Sequence, residues 1–373
     1  MVGPTVTPRS LSRGTSLDPS SVLRALADAL PAGVGFDEYG SGTLVETFER
    51  DVATLLGKEA AVFCISGRVA QLAALRVHAD ERGRATFGAH WRSHIVEDEN
   101  DAAGTLFGLR AVRVGGLVEP YTLEQLRSVA EPLAAVTLEL PLRRAGYRAP
   151  EWSELVAIAE HAKAHGAAFH LDGARLWETA PSYDRSLPEI CALADTVYVS
   201  FYKSLGGLAG AALVGDAATI AAARGWIGRA GCTLYRAFPY VIAARLGVER
   251  ELPRMHAYYE RAKSIAHALR GIEGLTVSPD PPVCNAFVAH VAGGRDALVA
   301  ARDLVAERDG IELFARLQAT SNPASWSFEV IVGANALDLE VGAIREAFVR
   351  FTAAARDGIG STFGKISGTE ASA

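Results

Sequence analysis

The chain has 373 residues, 49% of them apolar and 21% charged, with a net charge of −6; this is globular composition at a length that admits two domains. An acidic balance without a basic stripe leaves no nucleic-acid footprint. No apolar run approaches the ~18 residues of a membrane span, and the polar opening stretch lacks the apolar core of a secretory signal.

Cys64, Cys191, Cys232 and Cys284 are scattered without metal-type spacing. No metal site is expected, and the sparseness of cysteine suits a reducing, cytoplasmic setting. Residues 1–34 read as an N-terminal arm and a short amphipathic helix, "SSVLRALADAL". Residues 35–250 read as one large domain. It opens with the helix "TLVETFERDVATLLG", in which Thr43 is placed to cap, Glu46 to complete a capping box and Gly57 to close. "AAVFCIS" reads as a strand feeding the helix "GRVAQLAALRVHA". The strands "ATFG", "AVRVG", "AAVTLEL", "AAFHLD", "TVYVSF" and "GAALVG" follow in alternation with helices. Unbroken apolar strands in that alternation predict a mainly parallel sheet covered on both faces. A long helical stretch spans about 236–270. Residues 251–355 suit a smaller α+β domain, and 356–373 a disordered tail.

In open parallel sheets, ligands bind at the carboxyl ends of strands. Three predicted strands end on unusual residues. "AAVFCIS" runs into Ser66-Gly67-Arg68 at a helix start, where free backbone N–H groups and a hydroxyl can receive an anion. "AAFHLD" ends on Asp172, a carboxylate that needs a cationic partner when buried. That partner is either Arg175, in a structural ion pair, or the protonated ring nitrogen of a cofactor. "TVYVSF" leads to Lys203 and the glycine-rich "SLGGLAG". A lysine there either emerges into solvent or is buried with the lowered pKa that Schiff-base chemistry needs. An acid for a pyridine nitrogen and a lysine for a Schiff base are the protein's share of pyridoxal-phosphate chemistry.

"HLDGARLWE" followed by "VYVSFYKSLGGLAGAALVGD", with "DEYGSGTLVETFERDVATLLGKEAAVFCISGRVAQLAAL" upstream, resembles the threonine aldolase and aromatic amino acid β-eliminating lyase family. The resemblance is good over about 35–245 and looser in the C-terminal domain. It implies an α/β, fold type I architecture, with a mainly parallel central sheet in a large domain and a small α+β domain. It implies pyridoxal 5′-phosphate as cofactor, an amino-acid substrate, and a homodimer or homotetramer with sites between subunits. By position, Lys203 matches the lysine that carries the cofactor, Asp172 the partner of its ring nitrogen, and Arg175 the arginine near its O3′ and the substrate carboxylate. Ser66, Gly67 and Arg68 fall on the phosphate turn, where the family usually has Thr in place of Arg68. His94 falls where a histidine stacks on the cofactor ring, with His90 the alternative. Tyr39 and Arg236 match positions that reach the active site, Arg236 toward a neighbouring subunit's phosphate.

Three departures concern the substrate. "TLELPLRRAGYRAP" replaces the family's Glu-Asn-Thr-His-Asn-Gly stretch: Glu139 survives, but Leu140 and Leu142 stand where Asn and a hydroxyl-contacting His are usual. Glu329 stands about where the family carries a carboxylate-binding arginine, a loss worth about 1.5–3 kcal/mol. Arg316 is a candidate substitute, and Glu329 is itself a candidate partner for a basic group. "SRGTS" at 12–16 is a poor match to the family's N-terminal Arg-Ser-Asp-Thr. The expected activity is a carbon–carbon lyase acting by retro-aldol cleavage on a β-hydroxy-α-amino acid other than simple threonine. The alternatives are β-elimination, transamination or racemisation on the same scaffold, and a cofactor-binding regulatory role without turnover.

Overall fold

Seven apolar runs become one sheet in the computed structural model, which describes residues 8–12 and 18–366 and side chains as far as residue 356. The strands lie in the order Ala60–Cys64, Ala211–Gly215, Thr196–Ser200, Ala168–Gly173, Ala135–Glu139, Thr86–His90 and Arg110–Val114. Every residue of the four strands Ala211–Gly215, Thr196–Ser200, Ala168–Gly173 and Ala135–Glu139 is buried, as expected of strands covered on both faces. Five strands run parallel. Ala211–Gly215 runs antiparallel to both of its neighbours. The reason is local: no helix separates it from Thr196–Ser200, and a short link can only reverse the chain.

That link carries Lys203, and the backbone ties it down. Phe201 N donates to Gly210 O (3.1 Å), Gly207 N to Phe201 O (2.8 Å) and Gly206 N to Lys203 O (2.9 Å). A Cβ on Gly207 would lie 2.7 Å from Phe201 O, so only glycine lets the chain fold back so closely.

The helix Gly67–Arg82 packs Ala70, Ala73, Ala74 and Val77 against Val62, Leu213 and the helix Ala217–Arg229. Small residues allow this close approach to the sheet. The helix Thr43–Leu55 is capped differently from the sequence expectation. Thr43 is its first helical residue and Gly42 the cap, while Glu46 Oε1 accepts from Gly42 N (3.0 Å). Gly42 adopts a φ of 153° that a Thr there would resist. Asp37, fully buried, caps the helix Phe238–Glu251 from far away in sequence: Oδ2 accepts from Ala237 N (2.7 Å) and Oδ1 from Phe238 N (3.0 Å).

The chain divides into Leu17–Met255 and a second unit from His256 onward that also takes in the N-terminal segment. In the second unit, Arg9–Ser10 pairs in parallel with Ile311–Glu312. A four-stranded antiparallel sheet runs in the order Gln318–Ala319, Ser325–Ile331, Ala286–Ala292 and Leu275–Ser278. Phe314, Phe328, Phe348 and Phe351 form its aromatic core. The helix Val341–Ile366 extends through 356–366, which the sequence placed in a disordered tail. Residues 367–373, and most of "SRGTS", lie outside the described residues. No described helix is long and apolar enough to cross a membrane.

Two buried histidines share one hydroxyl inside the large unit. His78 Nε2 and His170 Nδ1 each lie 2.9 Å from Thr196 Oγ1. Burial, reinforced by His78, pushes the His170 pKa down to about 3. The folded protein therefore holds this ring neutral where the unfolded chain, with a pKa of 6.5, takes up a proton. Stability is expected to fall as pH drops from 6.5 toward 3, by up to about 1.4 kcal/mol per pH unit from this group. Chemical denaturation across that range should show a shallower loss for His170→Gln.

Candidate active site

Strand register sets three polar side chains abreast at the carboxyl edge of the sheet. Glu139 pairs with Asp172, and Asp172 with Tyr198. Partners in register share a face, so all three point the same way. Asp172 is 2% exposed, and its Oδ1 accepts from Ala174 N (3.1 Å). Glu139 is buried too; its Oε2 accepts from His94 N (2.8 Å) and its Oε1 from Arg143 N (3.2 Å). Two N–H donors favour the ionised form. Burial and the Asp172 carboxylate outweigh them and push the Glu139 pKa up to about 7.

His94 begins the short helix His94–Glu97, and its Nδ1 lies 3.1 Å from Oε1 of the fully buried Glu99. The Glu99 hydrogen bond, with Asp172 and Glu139 nearby, raises the His94 pKa, while burial raises that of Glu99. Both shifts act to retain the proton shared by this pair. His90, the alternative candidate, is committed elsewhere. Its Nδ1 accepts from Arg92 N (2.9 Å), its Nε2 lies 2.8 Å from Glu119 O, and the ring is buried.

Ser66 caps the helix Gly67–Arg82, but its Oγ is 3.5 Å from Val69 N, a weak cap. The Arg68 guanidinium turns toward the His94 segment. It donates to Asp98 O (3.2 Å), and its Nε lies 3.9 Å from Glu99 Oε2. Gly67 is fixed by packing, since a Cβ there would run into the Tyr198 ring and hydroxyl.

Lys203 is half-buried, with its ammonium 5.9 Å from the Tyr202 ring. Burial and the nearby Arg175 guanidinium bring its pKa down to about 8, against the opposing pull of Asp172, Glu178 and Glu139. Arg175 precedes the helix Leu176–Tyr183, and its guanidinium lies 5.3 Å from the centre of the Tyr147 ring. Among the described residues its side chain makes no hydrogen bond to an acid, so Asp172 and Arg175 are not a closed ion pair.

Lys203, Asp172, Arg175, Glu139 and His94 thus converge within the Leu17–Met255 unit. Leu140 and Leu142 do not join them: both are fully buried and present no surface to a ligand. Arg236 is engaged within its own chain. It donates to Asp37 O, pairs with Glu38 (3.2 Å) and packs on Phe36 and Tyr235. Tyr39, 66% exposed, packs edge-on against Tyr235 at 5.2 Å. Arg316 and Glu329 belong to the other unit. Arg316 is exposed; Glu329 is half-buried opposite Val288, and its carbonyl accepts from Ser12 Oγ (3.2 Å). Sequence reasoning did not single out Glu99, Tyr198 or Glu178. Tyr198 stands beside Asp172 through cross-strand register, which the sequence does not fix, whereas the three-residue step from Arg175 was an available signal for Glu178.

A mostly parallel sheet with a lysine and a buried acid on adjoining strand ends defines the fold type I class of pyridoxal-phosphate-dependent enzymes. The family described as "Beta-eliminating lyase" matches residues 20–292, and the chain belongs to that family. Two solved structures are similar over nearly the whole chain. A putative L-allo-threonine aldolase from Listeria monocytogenes is 33% identical, covering 94% of this chain and 97% of that one, with a TM-score of 0.89. A putative aromatic amino acid β-eliminating lyase/threonine aldolase from Exiguobacterium is 34% identical, covering 94% and 98%, with a TM-score of 0.88. A probable low-specificity L-threonine aldolase 2 from Arabidopsis thaliana is 28% identical over 291 residues, 74% of this chain and 81% of that protein.

The Gly67–Tyr198 contact makes a test of the turn. Gly67→Ala is expected to destabilise the protein by about 1–3 kcal/mol through overpacking, seen as a lowered melting temperature. Adding Tyr198→Phe should recover only part, because the ring carbons Cζ and Cε2 would still lie 2.6 and 2.8 Å from the new methyl.

Proposed function

We propose that this protein is a pyridoxal-phosphate-dependent lyase that cleaves the Cα–Cβ bond of a β-hydroxy-α-amino acid, releasing an aldehyde and glycine. The observation that carries the reading is the convergence at one sheet edge of Lys203, Asp172 and Arg175, an arginine with no hydrogen-bonded acid among the described residues. The residues present suit the cofactor. Asp172 offers a buried acceptor for a pyridinium N–H. Ser66 and the first amides of Gly67–Arg82 offer donors for a phosphate. His94 adds a ring able to cover a flat ligand, and Lys203, with a pKa of about 8, has an appreciable neutral fraction near neutrality. When bound, the cofactor supplies an electron sink that stabilises negative charge at the substrate Cα.

The side chains divide the remaining work. Lys203 would hold the cofactor through its side-chain amine and yield it to the amino group of the substrate. Asp172 holds the proton on the ring nitrogen. Arg175, half-buried above Tyr147, grips the substrate carboxylate. Glu139, with a pKa of about 7, changes charge in the working range and takes the β-hydroxyl proton. Leu140 and Leu142 offer no polar partner for a small hydroxylated side chain, which supports a substrate other than simple threonine. The exposed Phe36, Tyr39 and Tyr235 cluster beside Arg236 supports burial against a second copy, in a homodimer or homotetramer. The low cysteine content supports a cytoplasmic site of action.

Purified protein with pyridoxal phosphate should release glycine and an aldehyde from β-hydroxy-α-amino acids, faster with a larger β-substituent than with threonine. Release of pyruvate and ammonia alone would assign β-elimination instead. Lys203→Ala should abolish both turnover and the visible absorption band of the lysine-bound cofactor. Asp172→Ala should lower kcat about ten- to a hundred-fold, the worth of one charge-assisted hydrogen bond. The rising limb of kcat/KM near pH 7 should be lost in Glu139→Gln.

A further inference from the structure

Glu178 is a fully buried carboxylate to which the reaction above gives no task. It lies in the first turn of Leu176–Tyr183, three residues after Arg175. Its Oε1 accepts from Ser204 N at 3.4 Å, a long bond, and its Oε2 has no hydrogen-bond partner among the described residues. A carboxylate without exposed surface and with so few donors is expensive unless cations answer it. Two cations are within electrostatic reach: Lys203 and Arg175 both interact with it. The helix N-terminus adds a smaller favourable field. The other charged or titratable groups facing Lys203 and Arg175 are Asp172, Glu139, Tyr147 and Arg143.

Resting on the function just proposed, we propose that Glu178 is a positioning residue for Lys203. Its carboxylate is the buried counter-ion shared by the lysine and Arg175, and through Ser204 N it holds the turn that carries the lysine. The two attachments have separate effects. The hydrogen bond to Ser204 fixes the chain on the residue next to Lys203. The charge offsets Arg175, which otherwise faces the lysine as a like charge in a crowded site. Without Glu178, the two cations repel with less to compensate them, and the lysine gives up its proton more readily.

Lys203 reactivity in the cofactor-free protein tests this without reliance on turnover. The rate of Lys203 acylation by acetic anhydride is followed by mass spectrometry across pH. Glu178→Gln, nearly the same shape without the charge, is expected to lower the apparent Lys203 pKa by about one pH unit. Glu178→Asp, which keeps the charge but withdraws it, should lower it by less than half as much. In the cofactor-loaded protein, the pH titration of the visible absorption band should move in the same direction. An unchanged Lys203 titration in a folded Glu178→Gln variant would overturn the proposal. If Glu178→Gln does not fold, an unchanged titration in Glu178→Asp assigns the acid to structure alone and overturns it equally, whereas a small downward movement supports it. Absence of any visible band in wild type and variants alike would remove the lyase reading, while the acylation rates would still judge Glu178.

Discussion

Charge brought to the end of a buried strand has to be answered, and most of the large unit's polar architecture is that answer. Parallel pairing puts Glu139 and Asp172 side by side, and the closely placed Glu99 and Glu178 are buried as well. Four acids in one apolar setting repel one another and lose hydration. The chain meets them with backbone N–H groups from Ala174, His94, Arg143 and Ser204 and with His94, Arg175 and Lys203. None of these pairings saturates its partners: Arg175 has no hydrogen-bonded acid, and Glu178 keeps an unpaired oxygen. An incompletely answered site of this kind leaves buried charge of both signs open to a ligand, as the proposed function requires.

The same balance separates roles that composition alone would merge. Lys203 and Glu139 are moved toward neutrality from opposite sides, to about 8 and about 7. Burial is the largest cause for each, because it disfavours charge of either sign. The two shifted values leave both side chains able to change charge over the same pH range, as the proposed division of roles requires. His90 and His94 differ by the same logic: one ring has both nitrogens engaged by backbone groups, while the other has one nitrogen engaged by an acid and the ring half exposed.

Much of this was legible in the sequence, and for identifiable reasons. Lys203, Asp172 and Ser66 stand out because a polar residue at the end of a continuous apolar run is costly, and the runs themselves mark the strands. The antiparallel course of Ala211–Gly215 follows from the missing helix between it and Lys203. Glu178 and Glu99 were hidden because they sit inside ordinary-looking helical and loop stretches, where a carboxylate normally faces water. Leu140 and Leu142 stand where the family carries polar residues, and as apolar side chains at that turn they are drawn into the core. The cap of Thr43–Leu55 was misplaced by one residue because Gly42, with a backbone few other residues adopt, displaced Thr43 as the cap.

Among the described residues the edge strand Ala60–Cys64 has one neighbour in the sheet, and that neighbour is the last strand of the sheet to be made. As the chain leaves the ribosome, residues 60–64 must wait for 211–215 before they can be hydrogen-bonded in place. Asp37 waits longer still, until Ala237 and Phe238 have been added. The Ser66 turn hangs from that early strand, so the start of the helix Gly67–Arg82 is seated late, after Asp172 and Lys203 have already been synthesised. Truncated or stalled chains ending before the strand Ala211–Gly215 would therefore carry Asp172 and Lys203 but no seated Ser66 turn.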